Sequence, residues 1–293
     1  MLSHPLSGSL TVLAVLLAAC KSDRPAAEPG APAASAAAAT PAAAPTAIAV
    51  TATDFKLELP DTIPAGAVSL RLANHGKEMH QAQIVRLDGG KTLADFQQAM
   101  KHEGPPPSWV KFVGGPNGIA PGQEATASAS LIPGNYLMLC LIPSADGVPH
   151  LMKGMIRPFA VTGAAGTAAA ALPAADDTVR LTDYSFESSR PLAAGRHVIL
   201  VENTALQPHE LVLLQLSPGK TVADFGTWAT TGGMKGPPPG MPVGGVGVID
   251  PGASGTFTAD LAPGGYGLIC FVPDAKDGKP HLAHGMVKDF KVE

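Results

Sequence analysis

Hydrophobic and polar residues alternate over short stretches along most of this chain, the period-two signature of half-exposed β-strands. Val68, Leu70 and Leu72 form one such stretch, and residues 83–87, 198–201 and 211–216 form others. The runs stop at PG, GG and DG pairs, which mark turns. Pro121-Gly122 and Pro133-Gly134 bracket a strand through 125–131, and Pro251-Gly252 and Pro263-Gly264 repeat the arrangement. Two stretches break the rule. Residues 91–101 place Leu93, Phe96 and Met100 on one helical face, and 221–229 has the same character. The pattern predicts an all-β fold: two tandem Greek-key β-sandwiches of about seven strands each, with one short helical insertion apiece.

The tandem arrangement is explicit in the residues. TATDFKLEL at 51 lies over RLTDYSFES at 180, setting Asp54 on Asp183 and Phe55 on Tyr184. GKTLADF matches GKTVADF, GPPP occurs at 104 and 236, and LIPGNYLMLC matches LAPGGYGLIC. An Ala-rich stretch at 163–176 lies between the copies, which places the domains at 47–162 and 177–293 with a linker between them. Such a linker permits the domains to pack together or to stand apart. The GPPP segments read as rigid loop spacers, with stiff polyproline projections as the alternative.

Composition changes the picture mainly at the N-terminus. An apolar run at 10–19 is too short to span a bilayer and ends at Cys20, as in an export signal occupying 1–20. Leu17-Ala18-Ala19-Cys20 resembles the lipobox of bacterial lipoproteins, although no Lys or Arg precedes the run. That resemblance implies lipidation of Cys20 and an exported protein held on the periplasmic or cell-surface side of a membrane. Lys21 next to Cys20 is compatible with outer-membrane sorting. Residues 21–46 are mostly Ala and Pro, cannot bury enough surface to offset their ordering entropy, and read as a disordered tether. A net charge of −4 without basic runs gives no support for nucleic-acid binding.

Candidate chemistry appears when the copies are compared. Of nine histidines, only His80 with His209 and His150 with His281 fall on matching positions. Each copy also carries one cysteine in an apolar run, Cys140 or Cys270, and one methionine shortly after the second histidine, Met155 or Met286. An isolated buried His is usually a hydrogen-bonded core residue and an isolated Met usually fills space. Four potential ligands recurring in one order are poorly explained that way. Two imidazoles, a thiolate and a thioether suit the trigonal His₂Cys site with a weak axial Met that holds blue copper. A disulfide between Cys140 and Cys270 is the competing use in an oxidising compartment, disfavoured because each sits at the same place in its own copy.

The stretches NHGKEMHQ, NTALQPHE and the PGxYxxxC lead-in to each cysteine resemble the cupredoxins, the blue (type 1) copper superfamily of plastocyanin and azurin. The resemblance implies one copper per domain, two per chain: His80, Cys140, His150 and Met155 in the first, His209, Cys270, His281 and Met286 in the second. HLMKGM and HLAHGM after a long ligand loop are similar to the type 1 site of copper nitrite reductases. Those enzymes, and multicopper oxidases, place a histidine beside the type 1 cysteine to hold catalytic copper. Here the neighbours are Leu139 and Leu141, then Ile269 and Phe271, and no His-x-His occurs.

The resulting expectation is a non-enzymatic electron carrier, exchanging electrons with redox partner proteins and attached to a membrane through Cys20. The same soft donors bind Cu(I), so copper delivery or storage, with copper donors and acceptors as partners, is the alternative. A metal-free interaction scaffold is the third.

Overall fold

A computed structural model describes residues 44–102, 104–163 and 171–293. The expected leader, Cys20, nearly all of the tether and half of the Ala-rich linker lie outside the described residues. No helix among them is long and apolar enough to cross a membrane.

The first repeat runs β1 (Thr46–Thr53), β2 (Lys56–Glu58), β3 (Thr62–Pro64), β4 (Gly66–Asn74), β5 (Gln83–Leu87), α1 (Leu93–Ala99), β6 (Val110–Gly114), β7 (Glu124–Leu131), β8 (Gly134–Leu139) and β9 (Ile156–Thr162). The second runs β10 (Asp177–Thr182), β11 (Ser185–Ser188), β12 (Gly195–Asn203), β13 (His209–Leu216), α2 (Val222–Ala229), β14 (Gly240–Ile249), β15 (Ser254–Leu261), β16 (Gly264–Ile269) and β17 (Val287–Val292). The chain is therefore all-β, with two short α-helices at the expected places. Each helix starts at a threonine, Thr92 or Thr221, whose hydroxyl accepts from the backbone N–H of an aspartate three residues on. That aspartate reaches back to the threonine N–H, completing a capping box; a good N-cap contributes about 1 kcal/mol.

Strand alternation builds the cores. In β4, Val68, Leu70 and Leu72 are fully buried while Arg71 faces solvent. They pack with Ile84, Met138 and Phe159 in one cluster, and Val201, Leu213, Phe257 and Leu268 form its counterpart in the second repeat. Tyr136 and Tyr266, from the two PGxY motifs, are buried, and each hydroxyl bonds the backbone four residues upstream.

The repeats do not stand apart. One eight-stranded sheet runs β11-β10-β12-β15-β7-β4-β1-β2, and a nine-stranded sheet runs β17-β16-β13-β14-β6-β5-β8-β9-β3. Both cross the boundary between the copies: β15 pairs antiparallel with β7 through Phe257 and Ala127, and β14 meets β6 at Ile249 and Val113. Joining at these strands removes edges that would otherwise expose unpaired backbone. Ala127 of the first repeat packs into the core cluster of the second. Matched glycines let the strands kink here, since a Cβ on Gly115 (φ +107°) would lie 2.2 Å from the Ala82 carbonyl oxygen, and one on Gly245 (φ +121°) 2.0 Å from that of Leu211.

Candidate metal centre

Each first histidine is placed by an asparagine that ends a strand. Asn74 donates to the Glu78 and Ile119 carbonyls and accepts from the Gly76 N–H, so the loop to His80 closes on one side chain. Asn203 does the same with Gln207, Ile249 and Ala205 on the way to His209. His80 then pairs through its backbone with Ile119, and His209 with Ile249.

The other candidate ligands arrive on the loop after β8 or β16. Cys140 donates its N–H to the Met155 carbonyl and its own carbonyl accepts from Leu151, while His150 donates to Ile142. The second copy repeats these bonds with Cys270, Met286, Leu282, His281 and Val272. A 3₁₀ turn (His150–Lys153, His281–His284) closes on a glycine in the left-handed region, Gly154 at φ 103° and Gly285 at φ 96°. A β-branched or bulky residue there would be strained, which accounts for the glycine in HLMKGM and HLAHGM. The extra residue of the second loop is absorbed between Pro273 and Pro280, which still bridge as Pro143 and Pro149 do.

The side chains converge. The donor atoms of His80, Cys140 and His150 all lie within 4.8 Å of one another, and so do those of His209, Cys270 and His281. All six residues have 0% exposure, as do Met155 and Met286, which pack in the same core clusters as the cysteines. In the first group the two Nδ1 atoms are 3.1 Å apart and Cys140 Sγ lies 3.4 Å from His150 Nδ1. In the second, Cys270 Sγ lies 3.9 Å from His209 Nδ1 and 3.5 Å from His281 Nδ1. A metal bound in a trigonal plane at ordinary imidazole and thiolate bond lengths needs N···N of about 3.5 Å and N···S of about 3.8 Å. The observed separations fall within about 0.4 Å of those values. Both cysteines are free, so the disulfide is not formed.

The outer nitrogens explain which lone pairs face inward. His80 Nε2 is 2.9 Å from Asp54 and His150 Nε2 is 3.0 Å from Glu78. A carboxylate there holds the proton on Nε2 and turns the Nδ1 lone pair toward the centre. Two such lone pairs 3.1 Å apart repel unless a positive centre lies between them. In the second group Asp183 holds His209 Nε2 at 3.1 Å, but His281 Nε2 is buried without a hydrogen-bond partner. Asp274 stands 3.9 Å from it. That carboxylate is engaged by the Tyr184 hydroxyl, then by the Lys276 N–H and Gln207, contacts that hold its pKa well below the usual range.

Burial sets the protonation of the metal-free groups. It pushes the Cys140 thiol up to about 12 and Cys270 higher still. It lowers His80, against Asp54, and His209, against Asp183, and takes His281 down to about 4. His80, His209 and His281 are thus held neutral and ready to ligate at neutral pH, whereas each thiol must lose a proton to do so. A soft thiolate with two imidazoles and a buried thioether fits copper better than zinc, which prefers four strong ligands.

Asp54 and Asp183 were visible in the sequence as matched residues but without a role. Glu78 and Asp274 were missed because Gln207 and Ser144 stand opposite them, so the comparison of copies gave no signal. Gly76 was also missed: a Cβ there would lie 2.4 Å from Asp54 Oδ1 and 2.7 Å from His80 Nε2.

No protein-family model and no curated protein sequence matches this chain. Among solved structures it is similar to dithionite-reduced auracyanin from the photosynthetic bacterium Roseiflexus castenholzii, at 22% identity over 41% of this chain and 100% of that one (TM-score 0.30). Auracyanin B gives 22% identity over 40% and 86% (TM-score 0.26). A copper-containing nitrite reductase from Thermus scotoductus gives 12% identity over 85% and 62% (TM-score 0.25). The resemblance to cupredoxins rests on the donors. Two His/Cys/His groups, each with a buried methionine in the same cluster, fit type 1 copper sites.

Proposed function

We propose that this protein is an exported electron carrier with one type 1 copper site per repeat, each repeat a Greek-key sandwich of the cupredoxin kind. His80, Cys140 and His150 with axial Met155, and His209, Cys270 and His281 with axial Met286, are the proposed ligands. The observation that carries the reading is the convergence of two imidazole Nδ1 atoms and a thiol in each repeat, all completely buried. Copper bound there would supply a one-electron Cu(II)/Cu(I) couple.

The chain's own residues do the rest. Asp54, Glu78 and Asp183 fix three of the four imidazoles by their outer nitrogens, so little rearrangement accompanies a change of charge. Leu139, Leu141, Ile269 and Phe271 flank the cysteines where a catalytic second copper would need histidine. Complete burial of the donors restricts the approach of a substrate, which supports electron transfer over catalysis. Burial of every donor also opposes rapid hand-over of the metal and weighs against the delivery reading. Cys20 would carry the lipid and 21–46 would tether the body to a membrane, where redox proteins are its partners.

Voltammetry of the copper-loaded chain with a Cu(I) chelator present tests this function. A carrier cycles reversibly and keeps its copper; transfer of the metal to the chelator on reduction would establish delivery instead.

A further inference from the structure

Buried polar side chains join the two donor sets across the seam between the repeats. Glu210 directly follows His209 and is buried. Its carboxylate accepts the Phe271 N–H at 3.0 Å, beside Cys270, and the Asn117 Nδ2–H at 3.0 Å, from the first repeat. Asn117 is 1% exposed, and Ile119, two residues on, exchanges both backbone hydrogen bonds with His80 at 3.0 and 3.2 Å. The path from His209 to His80 is therefore peptide, side chain, hydrogen bond, peptide, hydrogen bond. A branch from Cys270 joins it through Phe271. The copies differ here: Gln81 takes the place of Glu210 in the first repeat, with its buried Nε2 unpartnered, Gly247 takes the place of Asn117, and the seam is crossed in the other direction by Gln83, which bonds both backbone groups of Val248.

Holding the seam together does not require a carboxylate. Asn117 already donates to the Leu211 and Val246 carbonyls, and Gln83 bonds both backbone groups of Val248. A buried carboxylate is a poor way to gain stability, and an apolar residue of similar size is often as good or better. Glu210 does, however, make a continuous bonded link between residues that would each hold a metal.

We propose that the Asn117–Glu210 bridge is the electron route between the two sites, which makes the protein a two-centre relay. This rests on the copper reading above. Electronic coupling decays less steeply through covalent and hydrogen bonds than across gaps, which favours this route over contacts through the packed core; the Gln83–Val248 bonds are the competing bonded route, and substitutions at Asn117 or Glu210 leave them in place. With copper held by both donor sets the exchange would balance internally, one electron lost by Cu(I) at one site being gained by Cu(II) at the other. No proton or ligand moves. Both residues are positioning residues, acting through His80, His209 and Cys270.

The test is flash photoreduction of the full chain carrying copper in both sites, with less than one electron delivered per molecule. Cys140→Ser and Cys270→Ser variants supply the spectrum and potential of each site alone. In the native protein the two bands should redistribute in a first-order phase independent of protein concentration. Asn117→Leu, and Glu210→Leu, which removes both bonds at position 210, should each slow that phase about tenfold or more once the rate is corrected for the potentials measured in that variant. An unchanged rate in a folded variant, or a phase that scales with protein concentration, would overturn the route. A metal-free readout accompanies it: the Asn117 side-chain amide, buried and donating to Glu210, Leu211 and Val246, should be protected from hydrogen exchange in the native chain. Rapid exchange in the native chain would also overturn the bridge. Absence of a thiolate–copper band in the native protein would defeat the copper reading and the relay with it, a result distinct from slow relaxation in a blue protein.

Discussion

The two donor groups share their inner residues but not the shell around them. At the first, both outer imidazole nitrogens rest on carboxylates, Asp54 and Glu78. At the second only His209 does; His281 Nε2 is left bare while Asp274, 3.9 Å away, is tied to Tyr184 and Gln207. Three exchanges between the copies produce the contrast: Phe55 for Tyr184, Glu78 for Gln207 and Ser144 for Asp274. A duplication that keeps inner ligands and varies outer ones keeps the chemistry and changes its tuning, because the groups behind an imidazole set its basicity and orientation.

The comparison can be broken most severely at the thiols. Cys140→Ser should abolish the first site's thiolate band and leave the second's intact, and Cys270→Ser should do the converse. Loss of both bands from either change would show that the centres are not independent. Next in size is Glu78→Ala, which removes the carboxylate behind His150. Copper affinity at the first site should fall about 10- to 100-fold, toward the lower end because Glu78 is 37% exposed, with the second site unaffected. Competition with a chelator measures both. Smaller still is Tyr184→Phe, which gives the second site the aromatic ring of the first and releases Asp274 toward His281. Its effect should stay below about tenfold and fall on the second site alone.

The mildest expectation concerns pH. The folded His281 lies at about 4 against 6.5 for an ordinary histidine, so the metal-free protein loses stability as pH falls below 6.5. The folded Cys140 lies at about 12 against 9.0, so stability is also lost as pH rises above 9.0, where the unfolded chain ionises first. Denaturant midpoints of metal-free protein should therefore be flat between about 6.5 and 9 and decline on both sides. Copper loading at neutral pH should release about one proton per site from the thiols.

Much of this was legible in the sequence, for a specific reason. His80, Cys140, His150 and Met155 recur as His209, Cys270, His281 and Met286, so the second copy acted as a control on the first. The two short helices and the strands β4, β5, β7, β12 and β13 were likewise readable from local pattern, whereas the capping boxes at Thr92 and Thr221 emerged only in the structure. The joined sheets were not readable. The strand β14, GMPVGGVGVI, carries four glycines and a proline, residues that weaken a strand signal, and its pairing with β6 depends on contacts far apart in sequence. The bridge of Asn117 and Glu210 was illegible for the same reason. The Ala-rich linker gave no indication that the repeats share two sheets.

If both repeats hold copper through a thiolate, a Cu(II) titration of the metal-free full chain followed by visible absorption should raise an intense thiolate-to-copper band in the red that saturates near two equivalents. A folded protein that takes up copper without that band would contradict that binding mode.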